Sequence, residues 1–134
     1  MSHLDLVTLL VDDYDRAADW FTRVLGFELV QDEPASTDDG RPKRWVVVRP
    51  PSGGAGLLLA LADTPEQRAA VGNQAGGRAA FFLRVTDFEA RVASMRAHGV
   101  PVEGEPRHEP YGSVVVFVDL YGNRWDLLGD VADA

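Results

Sequence analysis

Apolar residues along this chain switch between the spacing of a strand and the spacing of a helix, and the same order of switches occurs twice. Leu4 to Val11 is a nearly continuous apolar run of strand length. After Asp13, the residues Ala17, Ala18, Phe21, Val24 and Leu25 recur at helical intervals, and Gly26 stands where a helix would stop. The pattern then predicts a strand over Phe27 to Gln31, a polar turn from Ser36 to Lys43, and a strand from Trp45 to Arg49. A Pro-Pro-Ser-Gly-Gly turn and a strand from Gly56 to Leu61 follow. The order is β-α-β-β-β.

The second half repeats it. A strand is predicted from Ala79 to Val85, a helix from Asp87 to His98 stopped by Gly99, and a strand around Val100 to Glu103. A strand from Ser113 to Val118, a turn from Asp119 to Asn123 and a strand from Arg124 to Leu128 complete the set. A shift of 74 positions (87 minus 13) lays Val85 on Val11, Phe88 on Tyr14, Val92 on Ala18 and Met95 on Phe21, and one deletion then brings Gly99 onto Gly26. The stretch Asp63 to Gly77 opens a short helical start at Thr-Pro-Glu-Gln and then carries Gly72, Gly76 and Gly77, which reads as a linker. The fold class expected is α+β, one domain over residues 1–134, with module one at about 4–62, the linker at about 63–77 and module two at about 78–130.

Composition narrows the function classes. At 134 residues and 46% apolar content the chain is long enough to bury a core. It has no run of about 18 apolar residues and no signal-like start, so a soluble, cytoplasmic protein is expected. The net charge of -8, with no basic cluster, argues against nucleic acid and acidic membrane as partners. The absence of cysteine excludes disulfides, thiolate metal sites and a cysteine nucleophile. No nucleophile-elbow, phosphate-loop or dinucleotide motif is present; Gly53-Gly54-Ala55-Gly56 is a hairpin turn.

Three stretches carry a resemblance: Val11-Asp12-Asp13 leading to Ala18-Asp19-Trp20-Phe21 and Leu25-Gly26-Phe27; Gly99-Val100; and Phe117 to Leu127, with Asp119-Leu120-Tyr121-Gly122-Asn123 inside it. Over nearly its whole length the chain resembles the vicinal oxygen chelate superfamily, which includes glyoxalase I, extradiol dioxygenases, methylmalonyl-CoA epimerase, fosfomycin-resistance enzymes and bleomycin-binding proteins. The resemblance implies two βαβββ modules forming a half-open eight-stranded barrel around a central cleft, and a homodimer. Strand alternation would then turn Leu6, Thr8 and Leu10 toward the cleft, with Val7, Leu9 and Val11 beneath the helix, and Ala80, Phe82 and Arg84 toward the cleft in module two.

Metal-dependent members hold a divalent ion with one side chain from each of four strands. Carried onto this chain, those positions are Leu6, Leu58 or Leu59, Ala80 and Asp126. Leu and Ala carry no lone pair, so the expectation is no metal and no cofactor. Asp126 is then either a desolvated acid or base, the one catalytic candidate, or a carboxylate paired with an arginine or a backbone amide. Arg84 either meets Asp126 or awaits an anionic or carbonyl-bearing ligand. His98 reads as structural at a helix end and His3 as terminal. His108, in the loop from Glu105 to Pro110, reads first as a surface residue and second as a functional one.

The ligand-binding set expected is Leu6, Thr8, Trp45, Leu59, Phe82, Arg84, Tyr111, Trp125 and Asp126, its aromatics, together with Tyr121, offering stacking surface that could equally be core. Two functions follow. One is a metal-free protein that binds a small, planar or carbonyl-bearing molecule, like the drug-binding resistance members. The other is a glyoxalase-like lyase or isomerase, or a dioxygenase-type enzyme, with a non-standard or displaced metal site. A purely structural or regulatory domain is the third class.

Overall fold

Leu9 and Val11 are fully buried while Thr8 is exposed and Leu10 half-buried, so the first strand has a core face and an open face. The structure, a computed structural model, describes residues 1–131. Contacts divide the chain into two compact units, Met1–Val71 and the residues from Gly72 on.

In the first unit β1 (Leu6–Val11) leads into α1 (Tyr14–Arg23), and β2 (Glu28–Ser36), β3 (Pro42–Arg49) and β4 (Gly56–Leu61) follow. The sheet order is β1-β4-β3-β2, with β1 parallel to β4 and the other pairs antiparallel. Asp13 starts α1 as a cap, its carboxylate accepting the Arg16 N–H at 2.8 Å. The helix then buries Ala17 and Phe21 against Leu9, Val11, Val46, Val48 and Leu59 on one sheet face. Removing the fully buried Phe21 ring would cost about 3–5 kcal/mol.

The second unit repeats the layout with β5 (Ala79–Val85), α3 (Phe88–Ala97), β6 (Val102–Glu109), β7 (Gly112–Val118) and β8 (Arg124–Gly129), in sheet order β5-β8-β7-β6. Phe88, Val92 and Met95 of α3 are buried. The two helices also end alike. Phe27 N–H reaches the Phe21 carbonyl at 3.0 Å and Val100 N–H reaches the Met95 carbonyl at 2.9 Å, each after a glycine of positive φ, Gly26 or Gly99. The single deletion that brings Gly99 onto Gly26 therefore falls in the helix stop, and the helices before it are of equal length. Each unit is a βαβββ module.

Several boundaries differ from the sequence pattern. β1 begins at Leu6 rather than Leu4. β2 and β3 continue through Ser36↔Pro42 into the stretch expected to be turn, because backbone pairing continues where hydrophobic alternation has ended. His108 lies on β6, not in a loop: the strand resumes after a register shift between Glu103 and Arg107, where Gly104 takes a φ of 76°. The expected linker contains a short helix, α2 (Pro65–Ala70), capped by the Thr64 hydroxyl on Gln67 N–H at 3.1 Å. No helix among the described residues is long and apolar enough to cross a membrane.

Candidate functional site

The open face of the first sheet is not flat surface but the floor of a cavity of about 570 Å³, a size typical of small-molecule pockets. Period-two alternation makes the floor. Thr8 and Leu10 of β1 stand beside Leu58 and Ala60 of β4 in the parallel register, and Trp45 of β3 projects to the same side as Val47, the register partner of Leu58. Trp45 is 37% exposed, and its indole N–H donates to Gln31 Oε1 at 3.0 Å, which fixes the ring's orientation while leaving a face open.

Charged groups from the β2–β3 connection and the start of β3 form the rim. Arg44 is held by Asp32 through two hydrogen bonds of 3.1 and 2.7 Å and by Asp15 at 2.8 Å. Its guanidinium lies 5.1 Å from the Tyr14 ring centroid, and its backbone N–H donates to the Tyr14 hydroxyl at 3.3 Å. The hydrogen bonds to Asp32 and Asp15 raise the Arg44 pKa, and the bond from Arg44 lowers that of Asp15. Arg41 is held by Asp39, at 3.0 Å to each oxygen, and meets Asp63 at 3.5 Å. The Thr37 hydroxyl and then Arg41 pull the Asp39 carboxyl down to about 2. Gln67 of α2 joins the wall, its Oε1 accepting the Asp63 N–H at 2.9 Å.

Of the expected ligand-binding residues, Thr8, Trp45 and Leu59 line this cavity, and Leu6 lies on the same strand outside its lining. Leu59 is fully buried on the core face with Leu9, so Leu58 is the leucine whose side chain stands by Thr8. The remaining residues belong to the second unit. Phe82, 63% exposed, and Arg84 are on the open face of β5, and Phe82 pairs in register with Asp126 of β8. Tyr111 is exposed at the β6–β7 turn.

Trp125 requires correction: it is 3% exposed, lies between Phe81 and Phe117 with ring centroids at 4.7 and 5.5 Å, and donates its indole N–H to Asp119 at 2.9 Å. Neighbours on a strand point to opposite faces, so Trp125 and Asp126 cannot share one. Arg84 pairs with Asp130 at 3.2 Å instead of with Asp126, whose carboxylate has no hydrogen bond or ion pair among the described residues. His108 Nδ1 lies 2.9 Å from the hydroxyl of the buried Ser113, and His98 Nδ1 lies 2.9 Å from the Ser94 carbonyl in the helix end.

The residues that sequence reasoning did not assign are Tyr14, Arg41, Lys43, Arg44, Asp63 and Gln67. The stretch Arg41 to Arg44, at the end of the segment expected to be turn, carried the signal, because three cations within four positions are more than a solvated turn requires. As for a metal, the positions that the family pattern would use present Leu6, Leu58 or Leu59, Ala80 and Asp126, a single carboxylate among hydrocarbon side chains, and on the cavity floor Thr8 is the only heteroatom-bearing side chain of β1 and β4. That donor set does not fit a divalent ion. No group of three or more His, Asp or Glu residues suited to a metal occurs among the described residues.

A family model described as Glyoxalase/Bleomycin resistance protein/Dioxygenase superfamily matches residues 3–127. An uncharacterized protein of Shewanella frigidimarina (strain NCIMB 400) is 47% identical over 123 residues, covering 91% of this chain and 89% of its own length. Among solved structures, TnmS3, an antibiotic binding protein from Streptomyces sp. CB03234, superposes with a TM-score of 0.75 at 29% identity over 97% of both chains. A glyoxalase/bleomycin resistance protein from Streptomyces sp. CB03234 gives a TM-score of 0.71 at 28% identity, covering 93% of this chain and 98% of its own.

Proposed function

Because this chain belongs to the glyoxalase/bleomycin resistance protein/dioxygenase superfamily, we propose that it binds a small planar or carbonyl-bearing molecule in the cavity of its first unit, without a metal ion. The observation that carries this reading is the cavity floor: side chains of β1 and β4 that are hydrocarbon except for the Thr8 hydroxyl, with one oriented, half-open indole beside them. Such a floor holds a guest by shape and stacking, and a lone hydroxyl is too little to hold an ion. The likeness to an antibiotic-binding protein over almost the whole chain supports the same reading.

Titration of chelator-treated protein with a panel of planar aromatic compounds tests it. Saturable quenching of tryptophan fluorescence is expected, with Trp45→Ala weakening binding by roughly tenfold or more. A broad panel with no binder, or binding that returns only on adding a divalent cation, would refute it. The reading includes a homodimer, for which light scattering should give twice the chain mass of 14.6 kDa; a monomeric mass would remove that part.

One observation favours a catalytic alternative. Asp126 is a half-buried carboxylate on the open face of the second sheet, flanked in register by Phe82 and Val116, an apolar setting suited to an acid or base. If a turnover assay on any bound compound shows product, Asp126→Ala should abolish it; activity that survives the substitution excludes Asp126.

A further inference from the structure

Resting on the binding function proposed above, we infer that the ligand carries an acidic oxygen, a carboxylate or equivalent, and that Lys43 is its counter-ion. The charged residues of the cavity lining are Arg41, Lys43, Arg44 and Asp63, three cations and one carboxylate in a chain whose net charge is -8. Two of those cations are already engaged. Arg44 is fixed by Asp15 and Asp32, and Arg41 by Asp39 and Asp63, an arrangement that also neutralises Asp63. Lys43 has no ion pair among the described residues, although eleven other ion pairs occur in them.

The position of Lys43 suits the role. Lys43 and Trp45 lie two residues apart on β3, hence on the same face and roughly 7 Å apart along the strand. A ring stacked on the indole would place an acidic substituent at its edge within reach of the ammonium group. The arginines on either side, locked by carboxylates, hold this part of β3 in place. Gln67 adds to the same preference: its amide oxygen is occupied by the Asp63 N–H, which leaves the NH2 as the end available to a ligand, and an NH2 recognises an acceptor. A lysine serves here as a point charge for an oxyanion.

The test compares three matched probes by calorimetry on the full chain: naphthalene-2-carboxylate, naphthalene-2-carboxamide and 2-naphthylmethylammonium. At low ionic strength the carboxylate should bind roughly tenfold more tightly than the carboxamide, the ammonium compound more weakly than either, and added salt should shrink the difference. Lys43→Gln should abolish the carboxylate preference while leaving carboxamide affinity within about twofold, which also reports that the variant is folded, and Lys43→Arg should keep the preference. If the carboxamide binds as tightly as the carboxylate, or Lys43→Gln keeps the preference, the acidic ligand is overturned while the pocket stands. If none of the three binds to the unaltered protein, both proposals fall.

Discussion

Asp119 accounts for a feature of the second unit that its residue type would not suggest. It is 5% exposed, and its carboxylate accepts the backbone N–H groups of Tyr121 and Asn123 at 2.9 and 3.0 Å, the Asn123 amide at 3.1 Å and the Trp125 indole at 2.9 Å. A charge so placed is tolerable because its oxygens are met by donors. Asp119→Ala would leave several of those donors unmet in the interior and should cost about 3 kcal/mol in urea unfolding. A loss under about 1 kcal/mol would mean that water replaces the carboxylate. Asp39 behaves differently, being exposed and held low by Thr37 and then Arg41. Its native value of about 2 lies below the ordinary 3.8, so the stabilisation that it contributes is present above the ordinary value and is lost as pH falls toward the native one. An NMR titration of the Asp39 carboxyl should therefore place its midpoint well below that of an unperturbed aspartate, and salt should narrow the gap; a midpoint near 3.8 would show that the loop contacts do not persist in solution.

The two helices offer a controlled comparison of helix starts. Asp13 and Asp87 occupy equivalent places, but Asp13 accepts an N–H from the first turn of α1 while Asp87 makes no side-chain cap bond to α3. Asp13→Ala should thus destabilise by about 1 kcal/mol and Asp87→Ala by only a few tenths. Equal losses would show that the caps act through charge alone. The elements themselves were legible wherever burial demanded a run of apolar residues: β4 and β5 begin and end where the sequence pattern places them. β2 and β6 were read short, since all nine residues of β2 are exposed and its membership in the sheet rests on backbone hydrogen bonds that leave no trace in hydropathy.

At the level of the whole chain the metal question has a direct readout. Structural metal sites contribute folding free energy outright, and removing the ion unfolds or softens the protein. With leucine or alanine at three of the four positions the family pattern would use and Asp126 alone at the fourth, exhaustive chelation should leave the melting temperature unchanged within error, while a saturating planar ligand at about 100 times its Kd should stabilise by about 2.7 kcal/mol. A drop on chelation would reveal ligands outside that pattern. Each unit owns a core, Phe21 in one and Phe88 with Phe117 in the other. A cavity-forming change such as Phe21→Ala should therefore be felt first in the amide exchange of the unit that contains it.

Periodicity, stop glycines and the duplicated order of elements were readable in the residues alone because they follow from local geometry: a helix repeats every 3.6 residues and a strand every two. The missing ion ligands were readable for the same kind of reason, since a hydrocarbon side chain has no lone pair in any fold. Which partners meet was settled only in three dimensions. Arg44 reaches Asp15, 29 positions away, and Arg84 chooses Asp130 over Asp126. Alternation defines two faces of a strand without saying which is core, so Trp125 could be read as a binding residue until Asp119 and two aromatic rings were seen to enclose it. Register and crossover decide such pairings, and they depend on the packing of segments far apart in the chain.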